Sequence, residues 1–255
     1  MPDLIVVNGE GLPAADAVRR SIIHQEEFLE RSIELLLLRQ YAASHGIVNT
    51  DEQLQLALDE MRYQRGLESV EKARQWMKAN HQTELSLQDA IDGMLIRNKV
   101  RNSIPEEQIA AYYAEHQLEF EKVTLYSIRL DSEEKAKELY AQITEEGANF
   151  HVLAMEHSTD SETAPKGGYV GEMTRAMLSG EIEAAVFKAK PGDVIGPIKT
   201  SKGWNLFKVA KIHKPTLAEV RSNIQMTLFL QLLAKLRAEA KIEYPIFESE
   251  EVAVA

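Results

Sequence analysis

The 255-residue sequence contains no cysteine, which excludes disulfide scaffolds, thiol catalysis, iron–sulfur clusters and cysteine-ligated zinc together. Long hydrophobic runs are also missing. The most apolar stretch, Leu35 to Leu38, is bounded by Glu34 and Arg39 and falls far short of the ~20 residues that a membrane-spanning helix needs. Basic charge is scarce: 29 Lys and Arg stand against 40 Asp and Glu, a net charge of −11. That balance disfavours adhesion to nucleic acid or anionic lipid, so neither a nucleic-acid nor a membrane partner is expected. The opening MPDLIVVNGEG has no basic n-region and no apolar h-region, which leads to the expectation of a cytoplasmic location. The seven histidines are scattered, and His151 and His157 lie six apart, a poor spacing for one helical face. No metal site and no cofactor are expected.

What is present is the balance of a folded protein, 44% hydrophobic and 27% charged, at a length that fits two domains. The acidic excess concentrates in the first 120 residues, where 20 Asp and Glu face 12 Lys and Arg. That stretch reads as helix, because apolar residues recur at three- and four-residue spacing. One helix is expected from about Ala14 to Ser44, with Val18, Ile22, Phe28, Leu29, Ile33, Leu36 and Leu37 as its core stripe. Thr50, followed three residues later by Gln53, has capping-box spacing for the next, which closes at Gly66. Shorter patterns cover Ser69 to Asn80, Ser86 to Asn102 and Glu106 to His116.

After Phe120 the rhythm changes. VTLYSIRL reads as a strand, and helices over Ser132 to Glu146 and over FHVLAMEH follow. The Gly/Ser/Thr/Pro-rich loop STDSETAPKGGYVGE leads into a strand, then come a helix through Glu181 to Lys188 and a hairpin of VIGPIK with WNLFKVAKI. The order is β–α–α–β–α–β–β. Leu217 to Ala240 is a long helix whose apolar arc, including Phe229, Leu233 and Leu236, needs cover on two sides, so it is expected to fold back onto the N-terminal helices. The tail ESEEVAVA reads as disordered.

Four motifs carry a resemblance to a known family: ANFHVLAMEHSTD, then KGGYVGE, then AVFKAKPGD, then GPIKT followed by GW. In this order they resemble the parvulin (PpiC-type) peptidyl-prolyl cis–trans isomerases. VVNGEGL and the long last helix are similar to the chaperone part of SurA/PrsA-type foldases. The resemblance implies an α+β chain. A helical chaperone-like domain would span residues 1–118, completed by the returning helix 216–242. A parvulin-like (FKBP-like) domain with a four-stranded antiparallel sheet flanked by helices would span 121–214, ahead of an acidic tail at 243–255. The implied function is prolyl isomerisation and foldase action on unfolded or partly folded protein clients with X-Pro segments. The alternative is a non-catalytic peptide-binding chaperone or dedicated maturation factor.

Carried onto this sequence, the family's proline pocket falls on Val170, Met173, Leu178 and Ile182, and its polar network on Asp160 and Thr200. Its two histidines correspond to Ser127 and Asn205. These can hydrogen-bond Asp160 and Thr200 but do not titrate near neutral pH, so a weakened isomerase is expected. Other readings stand beside these. Asp160 lies among Ser158, Thr159 and Ser161, a composition that also makes Asx turns. Gly167, Gly168 and Gly171 read as turn glycines, Glu26, Glu27, Glu30 and Glu34 as a solvated acidic edge, and Met61, Met77 and Met94 as core filler.

Overall fold

The computed structural model describes residues 3–7, 10–14, 18 and 26–244. The chain divides into two compact units, Met1–Glu106 with Gln225–Ala255, and Glu107–Ile224. The divisions fall earlier than 118 and later than 216, inside or beside continuous helices. Residues 15–17 and 19–25 of the expected Ala14 to Ser44 helix, including Ile22, and residues 245–255 of the acidic tail lie outside the described residues.

The first unit contains an antiparallel ribbon of β1 (Asp3–Val7) and β2 (Glu10–Pro13). The helical pattern holds only after Val7, and DLIVV before it is rich in the β-branched residues that favour a strand. Among the described residues, α1 (Glu26–Ser44), α2 (Asp51–Gln64), α3 (Val70–Ala79) and α4 (Glu84–Asn102) follow. The starts of α2, α3 and α4 are set by side-chain oxygens that accept first-turn N–H groups. Thr50 and Gln53 form the full capping box, and Ser69 caps α3. Thr83 and Ser86 form a second box, which starts α4 two residues before the expected Ser86.

The core of this unit uses Ile33, Leu37, Leu38 and Ala42 of α1 and Ile91, Ile96 and Val100 of α4. Phe28 and Leu36, expected in the stripe, are exposed, and Leu38, two residues after Leu36, is buried. The acidic edge of α1 does more than face solvent. Glu34 pairs with Arg97 of α4, and Glu30 pairs at 2.7 Å with Arg237 of the last helix, α9 (Leu217–Glu239). Phe229 of α9 is fully buried, with the Arg97 guanidinium 5.0 Å from its ring centroid. The returning helix thus packs on the N-terminal ones. Met61 and Met77 are half-buried and line a cavity of about 380 Å³ with Leu58, Trp76 and Leu87, and Met94 is exposed. They are not core filler. Among the described residues no helix is long and apolar enough to cross a membrane.

The second unit contains α5 (Glu106–His116, which starts at the last residue of the first unit), β3 (Lys122–Leu130), α6 (Glu133–Thr144), α7 (Phe150–His157), β4 (Tyr169–Thr174), α8 (Gly180–Lys188), β5 (Val194–Thr200) and β6 (Gly203–His213). All strand pairs are antiparallel, in the order β4-β3-β6-β5. β3 is therefore central. At the start of α9, the Thr216 N–H and hydroxyl both donate to Glu219. The backbone bond, before the hydroxyl, holds that carboxyl below its usual pKa. This cap is present above the ordinary carboxylate range and is lost as the pH falls through the lowered value.

Truncating Phe229 to Ala removes an aromatic ring from a closed core and is expected to cost about 3–5 kcal/mol. Denaturant unfolding of the variant measures it, and a loss below about 1 kcal/mol would show that α9 does not complete the helical core.

Candidate functional site

Successive side chains of a strand point to opposite faces of its sheet, and β3 has a different use for each face. Ile128 and Leu130 pack with Leu206 of β6 against α6 and α7, where Ala136, Leu139, Phe150, Leu153 and Ala154 close a core. Val123 and Leu125 face the other way, into a cluster with Val186 of α8 and Val209 of β6. Ser127 and Arg129 continue that second face.

Cross-strand register completes it. Leu125 stands opposite Val209, Ser127 opposite Phe207, and Arg129 opposite Asn205; on the far side of β6, Phe207 faces Ile195 and Asn205 faces Ile198. The face is apolar at the α8 end and becomes polar towards Arg129 and Asn205. Met173, Leu178 and Ile182 pack against the apolar cluster, so three of the four expected pocket residues come together. Val170 does not join them. It occupies the irregularity in β4 between the partners of Leu125 and Tyr126, and it is 37% exposed.

At the polar end, Asn205 Nδ2 donates to Thr200 Oγ1 at 2.9 Å and to the Gly203 carbonyl at 3.2 Å, and the Thr200 hydroxyl also donates to that carbonyl. Of the bonds open to these two residues, Asn205 makes one to Thr200, and Ser127 makes none to Asp160. Asp160 instead pairs with Arg129 Nη2 at 2.8 Å, and its other oxygen accepts the Glu162 N–H at 3.2 Å in an Asx turn. A guanidinium two residues along the same face is a charged donor, and it outcompetes a hydroxyl for a carboxylate. Ser127 and Asn205 are only 6% and 5% exposed, so they form the floor rather than the rim.

Sequence reasoning missed Arg129 and Phe207. The signal was available, since both follow at two-residue spacing from residues already singled out. The loop before β4 is stitched to Arg129 as well. The Thr159 N–H donates to the Arg129 carbonyl at 2.8 Å, and the Arg129 N–H donates to Ser158 Oγ at 3.1 Å. Gly168 has φ +83, and a Cβ there would lie 2.5 Å from the Ser127 carbonyl oxygen, so this turn needs glycine. Its carbonyl accepts the Ser127 N–H at 2.7 Å.

A second ionic group sets the other edge. Glu121, 3% exposed, accepts Arg175 Nε at 3.0 Å and Lys214 Nζ at 3.3 Å, and Arg175 also pairs with Glu183 and lies 3.9 Å from the Phe187 ring centroid. Arg175 thereby fixes the segment that delivers Leu178. Among the described residues no group of three His, Asp or Glu is placed to hold a metal ion.

Residues 127–211 match the PPIC-type PPIase (rotamase) domain family. The second unit carries a PpiC-type parvulin domain. Beyond the domain, the chain is similar to the foldase protein PrsA of Caldanaerobacter subterraneus, 26% identical over 80% of this chain and 62% of the relative. It is similar to a parvulin-like PPIase of Rickettsia typhi as well, 25% identical over 96% of this chain and 82% of the relative. The chain spans 49% to 62% of the length of three PrsA relatives that it matches. The crystal structure of PrsA from Bacillus cereus shares the fold, with a TM-score of 0.50, 20% identity, and coverage of 98% of this chain and 95% of that one.

Replacing Arg175 with Met leaves Glu121 buried with only Lys214 as a charged partner. Breaking one side of a buried pair costs about 3 kcal/mol, and that loss is expected in the unfolding free energy of the second unit. An unchanged midpoint would show that Lys214 and water suffice.

Proposed function

We propose that the chain is a peptidyl-prolyl cis–trans isomerase and foldase acting on X-Pro bonds of unfolded or partly folded protein clients. The observation that carries this reading is the graded face of the central sheet. An apolar floor of Leu125, Met173, Leu178, Ile182 and Phe207 adjoins the polar group of Thr200, Asn205, Arg129 and Asp160. Membership of the domain in the PPIC-type family supports it.

The reaction asks for little more than such a surface. Rotation about the prolyl amide crosses a barrier of ~18–20 kcal/mol, and no covalent intermediate, metal or cofactor is needed. At the top of the barrier the amide is twisted, its resonance is lost, and its nitrogen and carbonyl present altered hydrogen-bonding patterns. A site that holds the ring in an apolar recess and the flanking main chain at a polar rim lowers the barrier if it fits the twisted form better than either planar one. Leu178 and Ile182 would hold the ring, with Met173 beneath it; Val170, at the edge, would contact the flanking chain. The helical unit, with its cavity between Met61, Met77 and Trp76, would hold other parts of the client.

A second reading is favoured by one observation. The floor residues Ser127 and Asn205 are buried and non-titrating, and Asp160 is already paired. A domain that only grips X-Pro segments, in a holdase or a dedicated maturation factor, needs no more than that.

NMR exchange spectroscopy on short X-Pro peptides separates the two. Catalytic amounts of protein are expected to raise cis–trans exchange above the peptide's own rate. Leu178→Ala is expected to lower kcat/KM by about tenfold, the scale of a lost apolar contact. Shift changes without faster exchange would establish the binding reading, and no shift changes at all would sink both.

A further inference from the structure

Arg129 is the charged residue on the groove face of β3, and its surroundings divide into what it holds and what it leaves open. Its main chain holds the strap 158–160 in place, and its guanidinium meets Asp160, with side chains 24% and 14% exposed respectively. Asp160 Oδ2, met by Nη2, is the one acceptor shown for five guanidinium N–H groups, and Nε is buried with no partner. The Asn205 amide is committed, because its hydrogens go to Thr200 and Gly203. Apart from the neutral Ser127 hydroxyl, the unused donors at the polar end are those of Arg129, which stands opposite Asn205 in the register and two residues from Ser127 on the same face.

Resting on the isomerase reading above, we propose that Arg129 is a substrate-binding residue that grips a main-chain carbonyl beside the prolyl bond, and that Asp160 cancels its charge so that the groove accepts X-Pro segments regardless of the charge on X. An arginine alone in this position would attract an acidic X and repel a basic one. An aspartate alone would do the reverse. The ion pair keeps the donors and removes the bias. Asp160 is in this view a positioning and specificity residue that acts through Arg129.

The test is a pair of reciprocal variants in the full chain, titrated by NMR with three peptides that differ only in Glu, Ala or Lys before proline. The wild type is expected to bind all three within about a factor of two. Asp160→Asn leaves the cation uncompensated and is expected to favour Glu-Pro over Lys-Pro by about two- to fivefold at low salt, the scale of one partly exposed ion pair, with the preference fading at high salt. Arg129→Met is expected to reverse the order and to weaken the Ala-Pro peptide too, because a carbonyl donor is lost. Arg129→Lys, which keeps the charge and a donor, is expected to restore charge-neutral selection and part of the affinity. Amide spectra of each variant report whether the sheet is intact, and Arg129→Lys with Asp160→Asn carries the test if Arg129→Met does not fold. Variants that keep the wild-type ranking, or a wild type that already ranks the peptides strongly by charge, would overturn the proposal. A wild type that binds none of the three would instead overturn the isomerase reading, and this proposal with it.

Discussion

The second unit depends on the two-faced burial of β3. A central strand with sheet partners on both sides has no free edge, and its side chains alternate strictly between two faces. Ile128 and Leu130 are committed to the core beneath α6 and α7, and Val123 and Leu125 to the cluster beneath α8. Since both sets are fully buried or nearly so, a slip of one residue would exchange them and place Ser127 and Arg129 under the helices. The positions of Ser127 and Arg129 are thus fixed by apolar packing some distance from any polar chemistry.

Two ion pairs then shape the rims of that face, and both are local solutions to burial. Glu121 is carried into the protein at the entrance to β3 and is tolerated because Arg175 and Lys214 meet it; the same arginine sets the segment before α8. At the other end Arg129 and Asp160 neutralise each other, and the Asx turn at Asp160 continues into the glycines that bring the chain into β4. Buried charges of this kind do not by themselves add stability. What they add here is position, since each ties a loop to the sheet face that it borders.

The element order of the second unit was legible in the sequence, because two-residue alternation in VTLYSIRL and WNLFKVAKI and the caps and breakers around the helices are local signals. The family motifs implied a four-stranded antiparallel sheet, but the strand order β4-β3-β6-β5 is not a local signal and comes from the folded structure alone. Helix starts were read well where a capping box was recognised, as at Thr50, and missed by two residues where Thr83 and Ser86 made an unrecognised one. Burial within α1 was harder, since four consecutive leucines offer several stripes and only tertiary packing chooses Leu37 and Leu38 over Leu36. In the site, Met173, Leu178 and Ile182 lie against one cluster and Asn205 donates to Thr200. The partner of Asp160 was not legible. Arg129 lies 31 residues away in the sequence, and only the folded sheet puts it between Ser127 and the strap 158–160.

The claim on which this functional account rests is that a prolyl groove stands on a sheet face that carries no imidazole among the described residues. His151 lies with Tyr126 and Lys208 on the opposite face, and His157 ends α7. The most direct measurement is the catalysed cis–trans exchange rate of one X-Pro peptide from about pH 5.5 to 8, the range in which imidazole titrates. A rate above that of the peptide alone and independent of pH across the range is expected. A rate that rises or falls through a midpoint near about 6.5, and loses that dependence when His151 or His157 is replaced, would contradict it.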